Sequence, residues 1–596
     1  MVATLLSARD VEFLLYDWLQ AAELPQRARF STHSRETFDA LLAMCADLAA
    51  SEFAPLNRLL DDQEPRFDGE RVHQPEPVRR ALQAFTDAGL LGLALPPKLG
   101  GEPVPAVVRT ACLAWFQAAN IALAAYPFLT IANMNLLLAH ASEDQVQTWV
   151  APMAAGRFFG TMCLSEPGAG SSLADITTKA VPDAATGHRV FGNKMWISGG
   201  EHDLAENIVH LVLARIVGAP AGVKGLSLFI VPKFLLDEQG NVADRNDVTL
   251  AGLNHKMGYR GTVNALLNFG EGKHLPHGSP GAVAHLVGQP NRGLEYMFHM
   301  MNEARIGVGA GAAALGYTAY LKALAYARER IQGRPFGNRT AAPTAIIQHP
   351  DVRRMLLAQK AYAEGGLALV LYCARLVDEA NSALSPADRE QADLLLDVLT
   401  PIAKAWPSQW CLAGTDLAIQ VHGGYGYTRD HDVEQHYRDN RLNLIHEGTN
   451  GIQALDLLGR KVLGDRGIGL RALFETVQTC IAAANAGGGE GAELADQLAH
   501  TWRHLMEVTD QLIAPGETAA TLALASFYLE AVGHAVVAWI WLAQFLATDR
   551  RPGDFYEGKR AACRYFHRYE LPRVTWRLEL VASGDRTLLE VVDAQF

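Results

Sequence analysis

The sequence predicts a mainly α-helical protein with one β domain inserted into it. Three observations carry that expectation. Apolar residues recur at helical spacing over both ends of the chain, the middle is built of short β-branched and aromatic runs, and the 596 residues exceed what one hydrophobic core organises.

Residues 1–157 read as an N-terminal helical domain. Apolar positions return every three to four residues in ETFDALLAMCADLAA, VRRALQAFTDAG and ACLAWFQAANIALAA, with Pro and Gly between helices in LALPPKLGGEPVP. Residues 158–280 change texture to RFFGTMCL, HRVFGNKMWI, NIVHLVLARIV, GLSLFIVPK and VNALLNF, separated by glycine-bearing turns. That pattern predicts a compact β domain. Helical spacing returns in EYMFHMMNEARIGVGAGAAALGYTAYLKALAYARER and continues through a bundle domain, 281–465. NAGGGEGAE then interrupts a fourth, helical unit, 466–596.

A composition of 49% hydrophobic and 19% charged residues describes a packed globular chain, and the formal net charge of −12 opposes a role in gripping nucleic acid. Seven cysteines without CxxC spacing write neither a zinc site nor a disulfide framework, which points to a reducing, cytoplasmic setting. Arg9, Asp10, Glu12 and Asp17 make the opening stretch an amphipathic helix and not a secretory signal. The longest apolar run, AVVAWIWLAQFLA, has about 13 residues, against about 20 needed to span a bilayer. With Glu530, Gly533 and His534 before it, a buried helix is expected there and no transmembrane segment.

Three motifs carry candidate chemistry. MCLSEPGAGSS follows an apolar strand and offers small residues around which backbone amides could approach an anion, although a plain Gly/Pro turn is the majority reading of such a loop taken alone. KMWISGG puts Trp196 and Ser198 on one strand face, where they could line a flat heterocycle or simply end a core strand. QVHGGYGYTRDHDVEQHYRDNRLNLIHEGTNGIQ joins a glycine cluster to an isolated acid, Glu447. Its histidines lack HxxxH or HExxH spacing, so no metal is expected. Glu447 by itself could cap the following helix, an effect worth about 0.3–1 kcal/mol.

Taken in order, SEPGAGSS, KMWISGG, HKMGYRGTVNALLNF and QVHGGYGYTRD…IHEGTNGIQ resemble the acyl-CoA dehydrogenase flavoproteins, and the extra C-terminal unit resembles their long subgroup. The resemblance implies an acyl-CoA dehydrogenase-like fold, with helical N-domain, β-barrel-like middle domain, helical bundle and extra C-terminal helical domain. It implies FAD as cofactor. Met162, Leu164, Ser165 and Ser171 would line the flavin and its pyrophosphate, with Trp196 and Ser198 against the ring system. Arg330 and Gln420, Val421, His422, Gly423 and Gly424 would meet the FAD diphosphate of a neighbouring subunit, and Thr449 and Gly451 would touch FAD again. Asn302, Arg305, Ser171 and Gly448 would contact the acyl-CoA.

The implied reaction removes hydrogens from the α and β carbons of the thioester to give a trans-2-enoyl-CoA. Glu447 would take the α proton, with its own backbone N–H and a flavin hydroxyl holding the carbonyl oxygen. The other base position used by relatives, five residues after Arg305, is Ala310, which has no acid. The chain departs from the family at His446, where tyrosine is common and a pH-sensitive wall could result. It also departs at the insertion GRPFGNRTAAPTAIIQHP, which places Pro350 beside His349, and at Ser172, which ends the GSS triplet. An acyl-CoA oxidase, or a dehydrogenase specific for 3-methylmercaptopropionyl-CoA, is the alternative within the family. A DNA-associated relative would need a basic surface, and the one basic concentration, GKRAACRYFHRYELPRVTWR, reads as a charged face over a core. Electron-transfer flavoprotein is the expected electron acceptor and a homodimer the expected assembly.

Overall fold

The computed structural model describes residues 5–338, 340–514 and 517–596. Four residues of the predicted N-terminal helix and one of the 333–350 insertion lie outside the described residues. The chain gathers into two compact units. One comprises Ala43–Val104 and Ala119–Ala304, the other Met1–Leu42, Pro105–Ala118 and Arg305–Phe596.

The first unit contains the β domain. Its main sheet runs in the order Val248–Leu253, Asn264–Phe269, Gly187–Ser198, Ala282–Leu286, Leu226–Pro232, Asn207–Ile216 and Phe158–Cys163. Lys179–Asp183 pairs with both Gly187–Ser198 and Asn207–Ile216, so five strands close into a ring. This is the barrel-like domain expected from the alternating runs, and its interior is filled by Cys163, Val190, Val212, Phe229, Val248 and Leu267. The helix Ile121–His140 lies on the strands: the Asn133 amide donates to the carbonyls of Thr161 and Val209, at 3.2 and 3.0 Å. A Cβ on Gly160 would come within 2.6 Å of Asn133, so this approach requires glycine.

The periodicity of ACLAWFQAANIALAA suggests one helix, but the structure breaks it at Asn120. That residue leaves the helical region at φ −163°, and its side chain accepts the Leu123 N–H at 3.0 Å. The amide caps a new helix, which apolar spacing alone cannot reveal.

The second unit is helical. Pro350–Ser382 and Pro386–His422 are joined by three residues, and Ser385 caps the second helix by accepting from Ala387 and Asp388. Five further helices, Ile468–Gly487, Gly489–Ile513, Ala525–Ala547, Asp554–Tyr565 and Arg573–Ser583, build the C-terminal part. Trp502 and Trp541 are buried there, their indole N–H groups donating to the carbonyls of Ala535 and Ala361 at 3.2 Å.

Among the described residues two helices are long and apolar enough to cross a membrane, Ile121–His140 and Ala525–Ala547, but 72% and 78% of their apolar windows are buried. The 535–547 run is therefore part of a longer helix than its 13 apolar residues suggest, and a buried one. The basic stretch 558–577 is not wholly a surface face either. Lys559 is fully buried, donating to Glu364 at 2.9 Å and Gln544 at 3.1 Å and pairing with Asp10.

Candidate active site

In the β-containing unit, the loop after Phe158–Cys163 is fastened to the strand Gly187–Ser198. Lys194 has no exposed surface. Its Nζ donates to the Leu164 carbonyl at 2.8 Å and to Glu166 Oε1 at 3.0 Å. Glu166 also accepts from the backbone N–H groups of Thr177 and Thr178, at 2.7 and 3.0 Å, which closes the loop on itself. Burial alone would raise its pKa, but the Lys194 charge and these hydrogen bonds hold it down to about 2. The Met195 N–H donates to the Ser165 carbonyl at 2.9 Å, so Leu164 and Ser165 are locked to the strand that carries Trp196 and Ser198.

At Trp196 the register against Asn264–Phe269 slips, and its backbone enters the left-handed region at φ +66°. A bulge of this kind turns a side chain out of the sheet. Trp196 is 58% exposed between the buried Lys194 and Ile197. A Cβ on Gly168 or Gly170 would meet no atom of the chain within 4 Å, so open space stands over the loop. Met162 and Ser198 are half-buried, and Ser171 is exposed.

In the helical unit, a cleft of about 450 Å³ is lined by Arg330, Val421, His422, Gly423 and Gly424, five of the expected diphosphate residues. Gln420 is exposed and outside this lining. Tyr326, Gln332, Ile346 and Thr428 join the lining, and none of them was assigned a role from the sequence. Tyr326 stacks on His422 with ring centroids 4.3 Å apart. Arg330 sits 5.8 Å from the Tyr425 ring centre. The insertion reaches this cleft through Ile346, and the His349 ring bonds the Gln332 carbonyl at 2.7 Å, so the extra residues brace the segment instead of displacing it.

Glu447 lies in the same unit, on the loop before the helix Asn450–Leu455. It does not cap that helix: Thr449 does, its hydroxyl accepting the Ile452 N–H at 3.3 Å. Glu447 and Gly448 occupy consecutive left-handed conformations, φ +56° and +88°. A non-glycine residue held there stores strain that the surroundings must enforce. The Gln453 amide does so, donating to the carbonyls of Glu447 and Gly448 at 3.2 Å. No acceptor among the described residues takes the Glu447 N–H.

Burial raises the Glu447 carboxyl to about 7, against the opposing charges of Lys404 and Arg305. Lys404 projects from Pro386–His422 with no exposed surface, and its Nζ donates to Asn450 Oδ1 at 3.2 Å. Arg305 and Asn302 part company: Asn302 is exposed, whereas Arg305 is buried in an ion pair with Asp456 at 2.8 Å. Gly451 is the second residue of the short helix and is exposed. Burial pushes His446 down to about 3, helped by Lys404, and its Nε2 bonds Asn443 Oδ1 at 3.0 Å. The imidazole therefore stays neutral near pH 7, which removes the pH-sensitive wall considered from the sequence. Ala310 is buried and offers no rival base.

Models of the acyl-CoA dehydrogenase N-terminal, middle and C-terminal domains match residues 35–157, 161–270 and 291–463, and one described as acetyl-CoA dehydrogenase C-terminal like matches 473–591. A 3-methylmercaptopropionyl-CoA dehydrogenase of Ruegeria pomeroyi is 37% identical, over 85% of this chain and 84% of its own length. The broad-specificity linear acyl-CoA dehydrogenase FadE5 of Mycobacterium tuberculosis is 35% identical over 99% of both chains. Among solved structures, an acyl-CoA dehydrogenase complexed with FAD from Bacillus anthracis superposes with a TM-score of 0.74 at 20% identity, over 96% of this chain and 91% of that one. With the four domain models lying in order along the sequence and two relatives above 30% identity covering most or all of it, the chain belongs to the acyl-CoA dehydrogenase family.

Proposed function

We propose that Glu447 is the base with which this FAD-dependent acyl-CoA dehydrogenase takes the α proton of its thioester substrate. The observation that carries the reading is the carboxyl itself, forced into a left-handed loop and raised by burial to about 7. A base works best when its pKa lies near the working pH. The Glu447 N–H, which no acceptor among the described residues takes, is available to a thioester oxygen as negative charge gathers on it.

The residues present fit FAD. The exposed Trp196 offers a flat platform beside a loop pinned by Lys194, Gly168 and Gly170 leave room for a ligand, and Arg330 in the open cleft supplies a cation for a diphosphate. We assign Met162, Leu164, Ser165, Ser171, Trp196 and Ser198 to the flavin end, with Thr449 and Gly451 as further contacts. Arg330, Val421, His422, Gly423 and Gly424 are assigned to the diphosphate. FAD supplies the acceptor for the hydrogen that leaves the β carbon. Asn302, Ser171 and Gly448 remain the proposed acyl-CoA contacts. The buried pairing of Arg305 with Asp456 favours an electrostatic role over direct contact.

The substrate class we favour is unbranched acyl-CoA, because the two relatives above are named for 3-methylmercaptopropionyl-CoA and for linear acyl-CoA. Electron-transfer flavoprotein as acceptor, a homodimer as assembly and the cytoplasm as location complete the proposal. The exposed Tyr425, which lines the cleft, and the exposed Tyr427 two residues on support a subunit contact there. Anaerobic flavin bleaching by a panel of straight, branched and sulfur-containing acyl-CoAs tests the substrate class, and equal bleaching by branched thioesters would reject it. Peroxide formation at a rate matching turnover would replace electron-transfer flavoprotein by oxygen.

A further inference from the structure

Lys404 is the residue that the motifs leave unexplained. It is the one charge in TPIAKAWPSQW, has no exposed surface, and has Asn450 as its hydrogen-bond partner. No carboxylate among the described residues lies within ion-pairing distance of it. A buried ammonium without a close counter-ion is costly. Two features relate that charge to the base. Asn450, three residues after Glu447, accepts from Lys404 Nζ and donates through Nδ2 to the Ala405 carbonyl at 3.4 Å, so the end of the base loop is tied to the turn that carries Lys404. Burial pulls the Lys404 ammonium down to about 7, against the charge of Glu447 and helped by that of Arg305, while Lys404 in turn favours the ionised glutamate, so each group supports the charged form of the other.

The other groups nearby are already engaged. Arg305 is paired with Asp456, which also meets Arg460 at 2.8 Å. His446 is neutral and bonded to Asn443. From Ala525–Ala547, which packs against Asn450–Leu455, Glu530 pairs with Arg577 and His534 faces Glu570. From Pro386–His422, Asp397 pairs with Lys461.

We propose that Lys404 is a positioning residue for the α-proton base, holding the Glu447 carboxylate ionised by its charge and fixing the loop through Asn450. This rests on the assignment of Glu447 above. Burial alone would leave Glu447 protonated at neutral pH, and a protonated acid cannot accept the α proton. The lysine and Arg305 bring it back to the point where a substantial fraction is carboxylate.

The test uses FAD-loaded protein with butyryl-CoA as the probe substrate. Anaerobic flavin reduction is followed against pH, and infrared titration follows the carboxyl stretch that Glu447→Gln removes. Lys404→Met removes charge and hydrogen bond together. Lys404→Gln removes the charge and keeps a donor for Asn450, and decides the matter if the Met variant does not fold. Both should move the acid limb and the infrared midpoint up by about one pH unit, a roughly tenfold loss of rate below the midpoint that recovers in alkali. Lys404→Arg should keep both near the wild-type position. A uniform loss of rate at every pH, with limb and infrared midpoint unmoved in the neutral variants, would overturn the proposal. Should Glu447→Gln itself turn over normally, the base assignment fails, and that result is separate from anything the position-404 variants report.

Discussion

Two of the buried lysines in this chain, Lys194 and Lys404, each pull a glutamate towards its ionised form, and the two glutamates end far apart. In the β-containing unit Lys194 touches Glu166 at 3.0 Å, three further groups donate to that carboxylate, and its pKa falls to about 2. In the helical unit Lys404 is joined to the base loop by an asparagine, no close partner among the described residues satisfies the Glu447 carboxylate, and its pKa rises to about 7. The residue types are the same. Direct contact with full hydrogen bonding makes one glutamate a permanent anion and therefore a fastener. Separation makes the other an acid that can lose and regain a proton near neutrality.

The largest effect expected from breaking this comparison is on rate. Glu447→Gln should lower flavin reduction by about 10²–10⁴-fold while FAD absorbance and thermal stability stay close to wild type. Glu166→Gln should show the reverse, a chain that loses stability and FAD before it loses chemistry. A Glu447→Gln protein that still bleaches at near the wild-type rate would erase the distinction.

Next comes the fastener itself. Lys194→Met leaves Glu166 buried without its cation, a change that costs about 3–5 kcal/mol, read as a lowered midpoint in denaturant. The pH dependence separates the two pairs further. Glu166 binds its proton more weakly in the folded protein, at about 2, than at its ordinary value of 4.5. Its stabilisation is therefore complete above pH 4.5 and disappears as the pH falls towards 2, amounting to at most about 3 kcal/mol. Wild type should lose stability through that window, and Glu166→Gln should lack this part of the loss. Equal acid sensitivity in both proteins would show that the pair contributes nothing there.

The same contrast explains what was legible in the sequence. The inserted β domain, the helical flanks and the C-terminal unit follow from apolar periodicity, because burial of one face is a local signal. Glu447 stood out through its motif, yet the sequence alone allowed it to be a helix cap. Only the structure transfers that role to Thr449, two residues on. Lys194 and Glu166 both lie inside quoted motifs, but nothing in the spacing of 28 residues says that they meet. Lys404 lay outside every motif, and its isolation in an apolar helix was its one local signal. The break at Asn120 was hidden because a capping amide leaves the apolar spacing on either side intact. Long-range pairing of charges and the direction a bulge turns Trp196 are properties of the fold, and no window of sequence contains them.

The smallest expected effect isolates position from charge. The Glu447 loop is held by neutral contacts: the Thr449 cap, and the Gln453 amide on the carbonyls of Glu447 and Gly448. Thr449→Ala removes the cap without altering any charge near the base. It should cost about 1 kcal/mol of stability and slow flavin reduction by less than about tenfold, because Gln453 still restrains the left-handed turn. Since Lys404 and Arg305 are untouched, the acid limb of the rate profile should stay where it is in wild type. A limb that moved with the cap would mean that the loop's shape, and not the neighbouring charges, sets the protonation of Glu447. In that case the difference between the two lysine–glutamate pairs would be one of backbone geometry alone.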